Sequence, residues 1–185
     1  MHCGHSTSRS GRDGHQPAGD VQAAGQPRNY RVVKHQKPTQ MTQVSVYLNF
    51  ERETEAAFNF YRSIFGGEFD GGIMRFRDVP PSENMPPMPE EDLGLVMHVS
   101  LPIMDGFALM GSDAPKSMGF RVTAGNNVYL NLMPPTRAET RRIFSALAEG
   151  GVVEQQLQEM FWGDYYGSLR DRFGIQWMFN CASKE

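Results

Sequence analysis

His98 is the one histidine beyond residue 40 of this 185-residue chain, and imidazole is the side chain that exchanges protons most readily near neutral pH. It stands in a run where Met97, Val99 and Leu101 alternate with Val96, His98 and Ser100. Two further runs carry hydroxyls and amides at the same period: Val46-Tyr47-Leu48-Asn49-Phe50 and Val128-Tyr129-Leu130-Asn131-Leu132. Tyr47, Asn49, His98 and Tyr129, with Trp162 from the terminal third, form a candidate ligand-binding set of neutral groups among apolar ones. Such linings suit a small molecule. His98 is the candidate catalytic residue, as a general base. Each has a plainer alternative. A lone strand histidine also serves as a hydrogen-bonded core residue. The two tyrosines could pack together across a cleft or dimer interface, and Phe161, Trp162, Tyr165 and Tyr166 could be a core and rim cluster. No Ser/His/Asp arrangement, phosphate-cradling loop or dinucleotide fingerprint is present; Gly66–Gly72 lacks the required spacing and following helix.

The two Tyr-Leu-Asn runs are also a repeat. Each is followed by an amphipathic segment that closes on a glycine pair, Gly66-Gly67 and then Gly150-Gly151. Val44, Val46, Leu48 and Phe50 alternate with Ser45, Tyr47 and Asn49, the period of a strand with one packed face. A helix is expected from about 53 to 65, with Ala57, Tyr61, Ile64 and Phe65 on its apolar stripe and Gly66 as a left-handed stop. A second strand is expected over 68–77. The proline-dense stretch 79–93, with Met85 and Met88, reads as a long excursion, either a flap or a surface loop. Asp105-Gly106 predicts a hairpin between 95–101 and 107–110. Residues 112–125 read as a joint. In the second copy Thr136 and Glu139 make a capping box, Thr140, Ile143, Phe144 and Leu147 form the stripe, and strands follow at 152–158, 163–170 and 175–180. The expected fold is α+β: two β-α-β-β-β modules, about 44–112 and 126–181, forming a curled eight-stranded sheet with helices on one face. Its open side should carry Ser45, Tyr47 and Asn49 against Asn127, Tyr129 and Asn131, joined by His98, Ser100, Gln176, Met178 and Asn180.

Composition narrows the classes. Residues 1–40 hold six basic and two acidic groups, leaving twelve basic and nineteen acidic for 41–185. An acidic body argues against nucleic acid as a partner. Residues 1–40 are rich in Gly, Ser, Gln, Pro and Arg, which predicts a disordered tail or an upstream extension, with Met41 a candidate start. The irregular spacing of His2, His5, His15 and His35 argues against a metal site there. Cys3 and Cys181 form no framework, which fits a cytoplasmic protein, and no apolar run reaches the ~20 residues of a membrane helix.

The paired modules resemble the vicinal-oxygen-chelate superfamily, which includes glyoxalase I, extradiol dioxygenases and bleomycin-resistance proteins. The carrying residues are Tyr47-Leu48-Asn49-Phe50 leading to Phe60-Tyr61 and Phe65-Gly66-Gly67-Glu68. The run from Phe161-Trp162-Gly163-Asp164-Tyr165-Tyr166 to Phe173-Gly174, with His98-Val99 before Asp105-Gly106, is similar to the PhnB-like branch, which often bears a 3-demethylubiquinone methyltransferase-like label. The resemblance covers 41–185. It implies a divalent metal on the open face, but the family's ligand positions fall near Ser45, Asn127 and Met178, and the remaining carboxylate has no clear match at Met110, with Asp113 nearby. A hydroxyl, an amide and thioethers are poor divalent ligands. The expectation is therefore a cytoplasmic small-molecule-binding protein, a homodimer, with no cofactor and without the usual metal. The alternative is a metal-dependent glyoxalase- or dioxygenase-type enzyme using His98 with Asp113 or Asp164. Methyl transfer is not expected, because no glycine-rich S-adenosylmethionine loop is visible.

Overall fold

The chain divides into two units, Met1–Met41 and Thr42–Glu185. The computed structural model describes residues 45–80, 88–104 and 107–182, all in the second unit. The tail, Val44, Met85 and the Asp105-Gly106 turn lie outside the described residues.

The described chain runs β1 (Val46–Phe50), α1 (Thr54–Phe65), β2 (Met74–Arg75), β3 (Val96–Met104), β4 (Phe107–Asp113), then β5 (Leu130–Leu132), α2 (Arg137–Ala148), β6 (Val152–Glu159), β7 (Tyr165–Arg170) and β8 (Gln176–Cys181). This is the β-α-β-β-β order twice. The eight strands fall into two four-stranded sheets, β1-β4-β3-β2 and β5-β8-β7-β6. In each, the first strand is parallel to the last and the remaining pairs are antiparallel. A β-α-β-β-β chain returns its last strand beside its first, so β1 and β5 are both edges.

The modules share one core. Leu48 and Phe50 of β1, Phe58 and Tyr61 of α1, Ile143 and Leu147 of α2, and Trp177 and Phe179 of β8 belong to a single buried cluster. Its energy comes from removing apolar surface from water. The α2 stripe is Thr140, Ile143, Phe144 and Leu147, as its spacing predicts. Tyr61 lies edge-on to Trp177 with ring centroids 5.7 Å apart, bringing α1 onto the second module. Arg142 of α2 donates to the Ile64 carbonyl at 2.9 Å, answering an orphan acceptor near the end of α1.

Two buried carboxylates stitch this core. Asp113, where β4 ends beside Phe50, accepts from the Thr54 amide at 3.1 Å, the Thr54 hydroxyl at 2.8 Å and the Val96 amide at 2.8 Å. It thus caps α1 from another strand, where Glu53 makes no side-chain cap. Asp171 accepts from the Tyr61 hydroxyl (2.8 Å), the Trp177 indole (2.9 Å) and the amides of Phe173 and Ile175 (2.9 and 3.0 Å). Burial, then the neighbouring Asp171 charge, holds the Tyr61 hydroxyl well above its ordinary pKa.

Several expectations change in detail. The strand expected over 68–77 is only Met74–Arg75, because Gly66, Gly67, Gly71 and Gly72 all take positive φ and a 3₁₀ turn begins at Phe76. Gly66 does end α1, at φ 78° and ψ −162°, so the stop has positive φ without being left-handed helical. The second Tyr-Leu-Asn run forms a strand only from Leu130 to Leu132. The capping box is half formed: Thr136 accepts from the Glu139 amide at 3.2 Å, while the Glu139 carboxylate is taken by Arg142 at 2.7 Å.

Candidate functional site

Period-2 alternation divides each sheet into a packed face and an open face. On β1, Leu48 and Phe50 are buried while Ser45, Tyr47 and Asn49 are exposed. On β4 the open-face partners are Met110, opposite Tyr47, and Ser112, opposite Asn49. Gly111 between them faces the helix; a Cβ there would meet a Phe58 ring carbon at 2.5 Å, so only glycine lets α1 approach this closely. On β3, Val96, Val99, Ser100 and Leu101 are all buried, so Ser100 does not open as expected, and half-buried His98 is the residue that meets Tyr47 of the open face. Met74 of β2 stands opposite His98.

The open face of the first sheet therefore gathers three of the predicted site residues. The Tyr47 hydroxyl lies 3.2 Å from His98 Nδ1, and the two rings stack with centroids 5.8 Å apart at 24°. When the hydroxyl donates, the imidazole carries its proton on Nε2 and offers it outward. Ser112 donates to Asn49 Oδ1 at 3.3 Å, turning the amide nitrogen of Asn49 to the remaining side. Ser45 donates to Met110 Sδ at 3.9 Å. None of these groups carries a fixed charge.

Tyr129 and Trp162 are placed apart from this set. Tyr129 donates to Glu154 on β6 at 2.6 Å, and that bond raises the Tyr129 pKa. Trp162 sits in the β6–β7 turn, edge-on to Phe161 at 4.9 Å and to Tyr166 at 5.9 Å. Phe161 is 96% exposed, so this group is neither core nor flat stacking platform. Among the described residues no ring contact joins Tyr47 to Tyr129: Tyr47 meets His98 of β3 and Tyr129, just before β5, meets Glu154 of β6. Only Asn127 of the second-copy trio lines the same cleft as Tyr47 and Asn49. Trp177 and Phe179 pack inward, leaving Met178 and Asn180 on the alternate positions of β8. Sequence reasoning missed Ser112 and Glu154; the alternation of β4 held a signal for the first, once its register with β1 was known.

Ser45 and Met110, two positions where the resemblance implies metal ligands, touch as a hydroxyl and a thioether. Neither they nor Asn127 and Met178 fit a divalent ion. The alternative carboxylates are committed elsewhere: Asp113 caps α1, and Asp164 accepts from Asn180 at 2.7 Å. Among the described residues no group of three or more His, Cys, Asp or Glu side chains could hold a metal. No helix among them is long and apolar enough to cross a membrane.

Comparison with known proteins fits this architecture. A family model described as 3-demethylubiquinone-9 3-methyltransferase matches residues 42–179. Protein YjdN of Escherichia coli is 30% identical over 147 residues, 77% of this chain and 97% of its own length. The crystal structure of PA1353 from Pseudomonas aeruginosa is similar with a TM-score of 0.65 at 33% identity, covering 76% of this chain and 98% of that one. A putative 3-demethylubiquinone-9 3-methyltransferase, PhnB protein, from Bacillus cereus aligns at TM-score 0.59 and 26% identity, covering 76% of this chain and all of that one. With two β-α-β-β-β modules and these relatives, the chain belongs to the 3-demethylubiquinone-9 3-methyltransferase-like, or PhnB-like, family.

Proposed function

We propose that this protein binds an organic small molecule on the open face of its first sheet, without the divalent metal usual in the superfamily. One observation carries the reading: Tyr47 and His98 are joined on a face that also carries Asn49, Ser112, Met110 and Ser45. These are donors and acceptors for a ligand's oxygens and poor partners for a divalent ion. The proposed protein is cytoplasmic and homodimeric. The buried free thiol of Cys181 supports a reducing setting. The half-exposed Met74, Val152 and Trp162, with the outer sheet edges at β2 and β6, support a partner that covers them. Methyl transfer is not assigned. The strand-to-helix turns, Glu51–Glu53 and Met133–Thr136, contain no glycine, where a nucleotide-like cofactor would need close backbone approach.

The test is metal content of the full chain purified without added metal or chelator. Anaerobic titration with Zn²⁺, Ni²⁺, Mn²⁺ and Fe²⁺ follows, beside His98→Ala. The expected result is no stoichiometric metal whose binding depends on His98. Stoichiometric metal lost in His98→Ala overturns the proposal in favour of a metal-dependent enzyme.

A further inference from the structure

Clefts on the described surface differ in the charge of their walls. The cleft along the β1–α1 turn and the joint, about 600 Å³, has Glu51, Lys116 and Arg121 on its wall; its neighbour, about 450 Å³, has Glu51, Arg52, Glu91, Asp92 and Lys116. Those charges largely answer one another, with Lys116 2.9 Å from Glu51 and Arg52 paired to Asp92. The third cleft, about 320 Å³, runs along the seam where the edge strand β1 faces the joint and β5. None of its fourteen wall residues carries a charge at neutral pH. Val46, Leu48, Val122, Val128, Leu130 and Ile175 make it apolar, and Asn49, Asn127 and Gln176 bring carboxamides. Gln176 is 7% exposed and donates to the Val128 carbonyl at 2.8 Å, holding the approach to β5 against β8 as one wall.

We infer that this seam is the body of the ligand site and that it selects an uncharged, mainly apolar molecule bearing one carbonyl or hydroxyl. The inference rests on the binding-protein reading, because Tyr47 and Asn49 belong both to the seam and to the open face. The apolar body enters between β1 and β5, and the ligand's oxygen meets the Asn49 amide at the edge beside Tyr47 and His98. An ionised ligand would leave water for a wall with no counter-charge, a cost that hydrogen bonds from carboxamides do not offset. Anionic phosphates, carboxylates and sulfonates are therefore excluded, whereas neutral ring compounds gain from leaving water.

N-phenylnaphthylamine and anilinonaphthalene sulfonate share one ring skeleton and differ by the sulfonate, so they isolate the charge. Titration of the full chain by fluorescence should give saturable one-to-one binding of the neutral probe. The sulfonated probe should bind at least tenfold more weakly. Ala124→Trp, which fills the seam from the exposed joint, and Val128→Arg, which places a cation at its mouth, should each weaken the neutral probe at least tenfold with an unchanged circular dichroism spectrum. Equal binding of the two probes, no saturable neutral binding, or indifference to both substitutions overturns the inference. Protein free of His98-dependent metal that refuses the neutral probe sinks this inference alone. Stoichiometric His98-dependent metal in protein that takes the neutral probe sinks the metal-free reading and leaves the neutral seam standing.

Discussion

Tyr47 and His98 show how one hydrogen bond can define a site. The bond is half exposed, so its stability value is small, about 1 kcal/mol or less. Its larger effect is on which imidazole nitrogen bears the proton. Tyr47→Phe should leave the urea midpoint nearly unchanged while altering the His98 nitrogen resonances in long-range proton–nitrogen NMR spectra; unchanged resonances would show the contact does not hold the tautomer. Asp171 is the opposite case, a buried carboxylate with four donors and a structural task. Asp171→Ala leaves the Tyr61 hydroxyl, the Trp177 indole and two amides without their acceptor, and should cost more than about 3 kcal/mol in urea unfolding. Tyr61→Phe removes one of those bonds and should cost about 1.5–3 kcal/mol.

At the scale of elements, the structure ties loops and helix ends with acids. Asp92 accepts from Ser117 at 2.6 Å and from Arg52, linking the loop before β3 to the joint and to the β1–α1 turn. The Ser117 bond first, then the Arg52 bond, lowers its pKa. A carboxyl lowered in the folded state contributes stability that is complete above the ordinary aspartate range. That contribution is lost as pH falls through the folded value. Asp92→Asn should therefore flatten the loss of stability below about pH 4, measured by urea unfolding across a pH series. Wild-type and variant slopes that coincide there would remove this role. For α2, Thr136→Ala deletes the acceptor for the Glu139 amide and should cost about 1 kcal/mol by the same method.

For the whole molecule, the bonds between modules matter most. Tyr61 to Asp171, Arg142 to Ile64 and the shared core place α1 and α2 together, so neither β-α-β-β-β unit closes its own core. Two open sheet faces remain outside that core. The proposed homodimer would cover part of them, and sedimentation equilibrium of the full chain should give twice the chain mass. A monomer at micromolar concentration would require the open faces to be stable in water alone.

Much of this could be read from spacing. The repeated Tyr-Leu-Asn run, the glycine pairs and the Thr140–Leu147 stripe determined the order of elements, because helix and strand periods are local properties of side-chain direction. The inward turn of Leu48, Phe50, Trp177 and Phe179 was legible for the same reason. Pairing across the fold was not. That Tyr47 meets His98 and not Tyr129, that Asn49 leans on Ser112, and that Asp113 and Asp171 serve the core are decided by register between strands distant in sequence. The uncharged seam between β1 and β5 likewise exists only once two modules are packed on common helices. Periodicity says which way a side chain points, whereas tertiary packing decides what it reaches.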